Sequence, residues 1–216
     1  MSVSSCSDAP LRRIPRQQRG QARVSELLDA AAAVISECGY ETATMSAIAE
    51  RGGSCIGSLY QFFPNKQAIT QALRNRQTEC YGNLLDSAGR KARTLPLEEF
   101  VASLIDMTVK FVETHPAFLP LLDAPSSTRS SSALRDDVRG RLARLFRLRD
   151  PRLSAAKAAT VATVTLHVMK ALNHLYADVK PSRRRRFSRE FKLVLTCYLD
   201  ARLGPDSRHG RRAQGK

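Results

Sequence analysis

Residues 44–66 read TMSAIAERGGSCIGSLYQFFPNK, and this stretch decides the fold. Two short apolar-periodic runs, Met45–Arg51 and Ile56–Phe62, flank the turn Arg51-Gly52-Gly53-Ser54-Cys55. Thr44 is placed to cap the first run, its hydroxyl accepting from an otherwise unpaired backbone N–H. Pro64 pushes Phe63 out of helical geometry, and Asn65 can cap a long helix that opens at Lys66. Two short helices joined by a glycine-containing turn make a helix-turn-helix. In the second of them Ile56, Leu59 and Phe63 are predicted to face the core, leaving Gly57, Ser58 and Gln61 outward. Small residues there allow a close approach to DNA. The Tyr60 hydroxyl can reach a phosphate, and Lys66 adds charge at a free helix N-terminus.

Outward from this segment the periodicity stays helical and no alternating strand pattern occurs. A first helix is predicted over Gln17–Cys38 on Val24, Leu27, Leu28, Ala31, Val34 and Ile35, with Gly39 as its stop. Lys66–Arg90 follows with Ile69, Leu73, Cys80 and Leu84 along one side. Pro96–Glu113 carries two apolar stripes and should be central. A short helix reaches Asp123, and Ala124–Ser132 reads as a polar loop. Helix seven is expected at Ala133–Leu148 on Leu134, Val138, Leu142 and Leu145. Ser154 can cap helix eight, which ends near Ala177. Helix nine spans Ser182–Leu203 with Phe187, Phe191, Val194, Leu195, Tyr198 and Leu199 on one face, and Gly204-Pro205 ends it. The fold class is all-α, with about nine helices and no internal repeat.

The chain has 216 residues and a net charge of +15, which favours a polyanionic partner, nucleic acid before a membrane surface. Cys6, Cys38, Cys55, Cys80 and Cys197 are far apart and odd in number, a pattern of free thiols in a reducing compartment. Residues 1–20 lack an apolar signal core, and no run approaches the ~20 apolar residues that span a bilayer. A soluble, cytoplasmic protein without a membrane partner is expected. No nucleophile–base pair, phosphate loop or metal cluster is visible, so neither an enzyme nor a cofactor is expected.

The 44–66 string resembles the TetR family signature, in which a Thr opens helix two and a G-[ST]-[LI]-Y-x-[YHF]-F-P-x-K run covers helix three and the start of helix four. The resemblance is strong over Gln17–Leu73; beyond it, helix count and order agree. It implies that Thr44, Cys55, Gly57, Ser58, Tyr60, Gln61 and Lys66 contact DNA. It further implies an effector cavity enclosed by helices four to eight, and a dimer in which helices eight and nine of two chains form a four-helix bundle. The chain departs from the family in its turn, where Ser54 replaces a core side chain and Cys55 a capping hydroxyl. A thiol is a weak acceptor, so the cap should be weaker by about 1 kcal/mol.

These readings divide the chain into a basic arm (1–16), a DNA-binding unit (17–65), an effector-binding and dimerisation unit (66–203) and a basic tail (204–216), arm and tail being expected to be disordered. The arm and the start of helix one, with Arg12, Arg13, Arg16, Arg19 and Arg23, either track phosphates or the minor groove or are a solvated leader. Helix eight bears two apolar faces: Val161, Val164, Val168, Leu172 and Leu175, and Ala162, Leu166 and Met169. One can meet its own domain and the other a partner. For the cavity, Tyr81, Phe100, Leu104, Met107, Phe111 and Phe118 are either lining or ordinary core. His167 and Asn173, on a polar stripe with Thr163, Lys170 and His174, either fix a ligand or lie in solvent. No metal is expected at His167 and His174, which lack neighbouring carboxylate or thiol ligands. Arg183–Arg186 put four like charges against the helix macrodipole; an acidic partner, a membrane surface, DNA or plain solvent could face them. The expectation for the whole is a DNA-binding repressor, a homodimer on a palindromic operator, released by a small-molecule effector. The alternative is an accessory DNA binder with no effector.

Overall fold

The computed structural model describes residues 16–89, 92–123 and 129–203. The arm before Arg16, residues 124–128 of the serine-rich stretch and the tail after Leu203 lie outside them, as do Arg12, Arg13 and Cys6. The described residues are helical and hold no strand. In order they form α1 (Arg16–Thr42), α2 (Met45–Arg51), α3 (Ile56–Phe62), α4 (Lys66–Gly89), α5 (Leu97–Thr114), α6 (Phe118–Asp123), α7 (Arg129–Arg149), α8 (Ala155–Asp178) and α9 (Pro181–Leu203). Gly39 breaks the path of α1 at φ +82°, so regular helix ends at Cys38 as its left-handed stop requires. Three hydroxyl or amide caps act where expected. Ala47 N–H donates to Thr44 Oγ1 at 3.1 Å, Ala68 N–H to Asn65 Oδ1 at 2.8 Å, and Lys157 N–H to Ser154 Oγ at 3.3 Å. α7 opens four residues before the predicted Ala133, inside the stretch read as loop.

Two apolar cores form. The first joins α1, α2 and α3 around Leu27, Ile35, Ile48 and Leu59, and it takes in Ile69 and Leu73 of α4 and Ala117 and Leu121 at α6. The second joins the far half of α4 to α5, α7, α8 and α9 around Tyr81, Phe100, Leu104 and Phe146. α4 therefore belongs to both, and its buried face differs from the expected one. Stepping by four from Ile69 and Leu73 lands on Gln77, Tyr81 and Leu85, which are buried, while Cys80 and Leu84 are exposed. A reading restricted to apolar residues skipped the buried Gln77 and slid one position sideways.

The connections fix which ends meet. α4 leaves the first core and α7 runs beside it in the same direction, with Arg141 against Gly82 and paired to Asp86 and Asp137. Further along, Leu145 and Leu148 pack on Gly89. α5 returns, bringing Phe111 to Tyr81 at 5.1 Å between ring centroids, and α6 then enters the first core. α8 returns likewise, so that Tyr176 near its end shares a surface groove with Pro116 and Pro120 of the α5–α6 corner. α9 starts at that end.

α8 turns Val161, Ala162, Met169 and Leu172 inward and leaves Val164 exposed. In α9, Leu195 and Leu199 are buried, but Leu193 and Val194 are 59% and 54% exposed. Val194, expected on one face with Leu195 and Leu199, lies apart from them on an outer stripe with Cys197 and Ala201, at helical spacing. Among the described residues no helix is long and apolar enough to cross a membrane.

Leu121, 1% exposed, fastens α6 to the helix-turn-helix core. Leu121→Ala is expected to cost about 2–5 kcal/mol, with amide hydrogen exchange accelerating in α1–α3 before it does in α8. Uniform protection across both cores would contradict this placement.

Candidate nucleic-acid interface and ligand cavity

The turn between α2 and α3 is closed by backbone bonds from Gly52 N–H to Ile48 O, Gly53 N–H to Glu50 O and Ser54 N–H to Ala49 O, at 3.0, 3.1 and 2.9 Å. Gly53 sits at φ +54°, where a side chain is strained. At Gly52 a Cβ would come within 3.3 Å of Ala30 Cβ, so α1 and the turn approach closely there. α1 also clamps the turn electrostatically. Arg51 donates to both Glu37 oxygens at 2.8 and 2.5 Å, which holds the Glu37 carboxyl below its ordinary pKa. Arg23 pairs with Glu26 and reaches Gly53 O at 3.4 Å. On the other side Arg76 of α4 ties to Asp29 at 2.7 Å.

This scaffold presents α3 with one residue fully buried, Leu59, and with Gly57, Tyr60 and Gln61 exposed and Ser58 half-buried. Phe63, just beyond the helix, is buried as expected. Ile56 is not: at the open first position of a two-turn helix it stays 42% exposed. Gly57 has neither a packing nor a backbone reason to be glycine. A Cβ there would touch nothing within 4 Å, and its φ is not positive, yet glycine in a helix costs about 0.5–1 kcal/mol relative to alanine. Cys55 is the N-cap residue of α3, its thiol exposed and making no capping bond. The thiol for hydroxyl exchange leaves this end uncapped, as its chemistry implies.

Two of the sequence-predicted contact residues have structural work. The Thr44 hydroxyl caps α2. Lys66 was expected to offer charge to a phosphate, and in the single chain its ammonium is already engaged. Nζ donates to the carbonyls of Tyr40, Glu41 and Ala43 at 2.8, 2.9 and 2.9 Å and lies 4.6 Å from the Tyr40 ring centroid. An ammonium has three donors, and all three are spent on carbonyls of the short segment that follows the break at Gly39.

A cavity of about 430 Å³ opens between α4, α5, α6, α7 and α8, within the roughly 300–1,000 Å³ usual for small-molecule sites. Phe118, Leu119, Val138, Leu166 and Met169 make its apolar wall, and Thr78, Tyr81, Thr108 and Asn173 its buried polar side. Arg139, Asp136, His167 and Lys170 stand where it is more exposed. Thr108 Oγ1 donates to Leu104 O at 2.8 Å, so at 2.9 Å Tyr81 must be the donor to Thr108. Burial pushes the Tyr81 hydroxyl up to about 12, and it stays a neutral donor. Thr78 Oγ1 and Asn173 Oδ1 are buried with no hydrogen-bond partner among the described residues.

Of the eight lining residues expected from sequence, Tyr81, Phe118, His167 and Asn173 meet at this cavity. The other four do not. Phe111 backs the wall, edge-on to Phe118 at 5.0 Å. Phe100 lies under the Arg149 guanidinium, 5.3 Å away, at the far end of α5. Leu104 is close-packed core, and Met107 is a half-buried residue leaning on it. α5 turns Thr108 to the cavity, a position that an apolar-stripe reading passes over. Thr78 was missed for the same reason.

A helix-turn-helix carried on a larger all-helical unit with an internal cavity defines the class. The model for bacterial regulatory proteins of the tetR family matches residues 27–73, and that for the tetracyclin repressor-like C-terminal domain matches residues 96–199. The chain belongs to the TetR family. The HTH-type transcriptional repressor KstR of Mycolicibacterium smegmatis is 39% identical over 57 residues, 26% of this chain and 28% of the relative. The chain thus matches under a third of that relative's length. Among solved structures, the fatty acid degradation regulator FadR of Bacillus halodurans superposes with a TM-score of 0.65 at 17% identity, covering 81% of this chain and 94% of its own. A TetR-family regulator from Streptomyces coelicolor gives 0.64 at 24% identity, covering 83% and 99%. At those identities the likeness is one of fold.

Cys55→Ser restores a capping oxygen and is expected to add about 1 kcal/mol, a rise of roughly 2–4 °C in Tm. An unchanged melt would mean that α3 is insensitive to its cap. Lys66→Met keeps the stem and strips three carbonyls of their donor. It is expected to lower stability by about 1–3 kcal/mol in urea titrations; a fully stable variant with only weakened DNA binding would restore Lys66 to the phosphates.

Proposed function

We propose that this chain is a sequence-specific DNA-binding transcriptional regulator, a cytoplasmic homodimer that represses from a palindromic operator until a small molecule fills the cavity. The observation that carries the reading is Gly57. An exposed helical glycine with open space around it weakens its helix for no internal gain, and a backbone brought against DNA supplies the gain. Gly57, Ser58 and Gln61 are assigned to base edges, Tyr60 and the uncapped end of α3 at Cys55 to phosphates. Thr44 and Lys66 hold the scaffold, with the backbone at Lys66 still available to the duplex.

Dimerisation is supported by the outer stripe of α8 and α9, where Val164, Leu193 and Val194 stay exposed in the single chain; burial against a second copy would remove that patch from water. The name of the KstR relative supports repression. Two buried oxygens without partners support an effector over an accessory DNA binder with none. Each left unsatisfied costs about 1–3 kcal/mol, a cost that a ligand with polar groups removes. α6 offers the link. Phe118 and Leu119 line the cavity, while Ala117 and Leu121 beside them pack in the helix-turn-helix core. A ligand that prefers one setting of α6 would shift the population of recognition-helix spacings.

Selection from randomised duplexes tests the reading. The bound fraction should converge on a two-fold symmetric site with half-sites about 34–36 Å apart, or a multiple of that spacing. Gln61→Ala should change the preferred base at one position per half-site, at about 1–3 kcal/mol, whereas Tyr60→Phe should weaken all sequences alike. A bound fraction with no shared motif would sink sequence-specific regulation.

A further inference from the structure

The helix-turn-helix leaves one strongly charged surface unused. α9 opens with Arg183–Arg186 and has no acidic residue in its first turn, so the charges oppose the dipole of their own helix. Only Arg184 is absorbed locally. It stands 3.9 Å from Glu113, lies 5.6 Å from the Tyr176 ring centroid, and its carbonyl accepts from the Tyr176 hydroxyl at 3.1 Å. Arg183, Arg185 and Arg186 are exposed and make no ion pair among the described residues. Lys180 and Arg189 extend the run, and the carboxylates within it are Asp178 and Glu190. Glu190 shares a groove with Arg183, Arg186 and Phe187, and Phe187 is half-buried against the core.

Position decides the partner. Glu113 stands two residues before the His115-Pro116 corner, and Ala117 and Leu121 just beyond that corner are buried in the helix-turn-helix core, at 0% and 1% exposure. The arginine run therefore sits at the end of the C-terminal unit to which the DNA-binding unit is attached. A helix that lies on a membrane places an apolar face beside its basic one. Arg183–Arg186 contain no apolar residue, and the exposed Leu193 and Val194 come about two turns later. The outer stripe of α9 (Ala201, Cys197, Val194) leads back at helical spacing through Glu190 to Arg186 and Arg183. Pairing of two chains along it with their α9 helices parallel would set two arginine runs side by side, an arrangement that a polyanion stabilises.

We propose that Arg183, Arg185 and Arg186 make a second, sequence-independent contact with the DNA duplex, on phosphates outside those touched by α3. This rests on the reading of the chain as a DNA-binding protein. The test uses the full chain, a fluorescent mixed-sequence duplex about three helical turns long, and titrations between about 50 and 200 mM salt. The triple variant Arg183→Gln, Arg185→Gln, Arg186→Gln should bind about tenfold more weakly, its log K against log salt slope shallower by about two to three units per protomer. Its Tm should be unchanged or higher, since the dipole conflict is relieved. The triple lysine variant should keep the slope of the wild type, which separates charge from any loss of fold. A triple glutamine variant with the wild-type slope overturns the proposal and leaves α3 as the DNA contact. So does loss of binding to phosphatidylserine vesicles with duplex binding intact, which would assign the run to lipid. A wild-type chain that binds no duplex at all overturns the DNA-binding reading itself.

Discussion

A seven-residue helix does not hold its shape alone in water, so α3 depends on how it is anchored. Leu59 is its one fully buried residue, with Phe63 just beyond the helix as the second point of attachment. Around these two side chains the rest of the unit supplies rigidity from outside. The left-handed Gly53 turns the chain, Gly52 lets α1 come close, and Arg51, Arg23 and Lys66 lash the turn and α4 to α1. The consequence is that the remaining positions of α3 are released from folding duty. Gly57, Tyr60 and Gln61 can be chosen for what lies outside the protein, which is what a readable surface requires.

Lys66 shows how one residue serves an interior need at an interface. The short segment after Gly39 presents the carbonyls of Tyr40, Glu41 and Ala43 together. The ammonium of Lys66, arriving from the start of α4, gathers all three. That fixes the angle at which α4 leaves the helix-turn-helix, and α4 is a wall of the cavity through Thr78 and Tyr81. The geometry of the DNA-binding unit and the shape of the ligand site are thus set by one rod clamped near its base.

Helices and their ends were legible in the sequence because capping and stopping are local. Thr44, Asn65 and Ser154 each need only a backbone N–H three residues on, and Gly39 needs only its own φ. The inward side of α3 was legible at Leu59 and Phe63 but not at Ile56, which the short helix leaves exposed. What escaped depended on contacts between distant residues. Lys66 carries no sign in the string that its donors are spent 23 to 26 residues earlier. The cavity escaped in part because its polar side is Thr78, Thr108 and Asn173, spread over α4, α5 and α8. Polar residues at buried positions interrupt the apolar stripes by which helical faces are recognised, and so the stripe through Phe100, Leu104, Met107 and Phe111 drew the eye to core.

Places where a chain breaks the rules of stable folding without local compensation tend to be those used for something else. Three such groups share a common geometry here. Gly57 and the uncapped Cys55 weaken α3 at its exposed end. Thr78 and Asn173 bury oxygens without partners in the cavity. Arg183–Arg186 set charge against the dipole of α9. α6 lies between the first two, one side in the helix-turn-helix core and the other on the cavity. The third sits against the same α5–α6 corner through Arg184 and Glu113. On the proposed reading, a change in the cavity that moves α6 would act at once on the setting of α3 and on the footing of the arginine run. If the arginine run also meets the duplex, as proposed, a shift at this corner that is too small to unseat either contact alone would still degrade the fit of the pair, because both would have to meet one duplex.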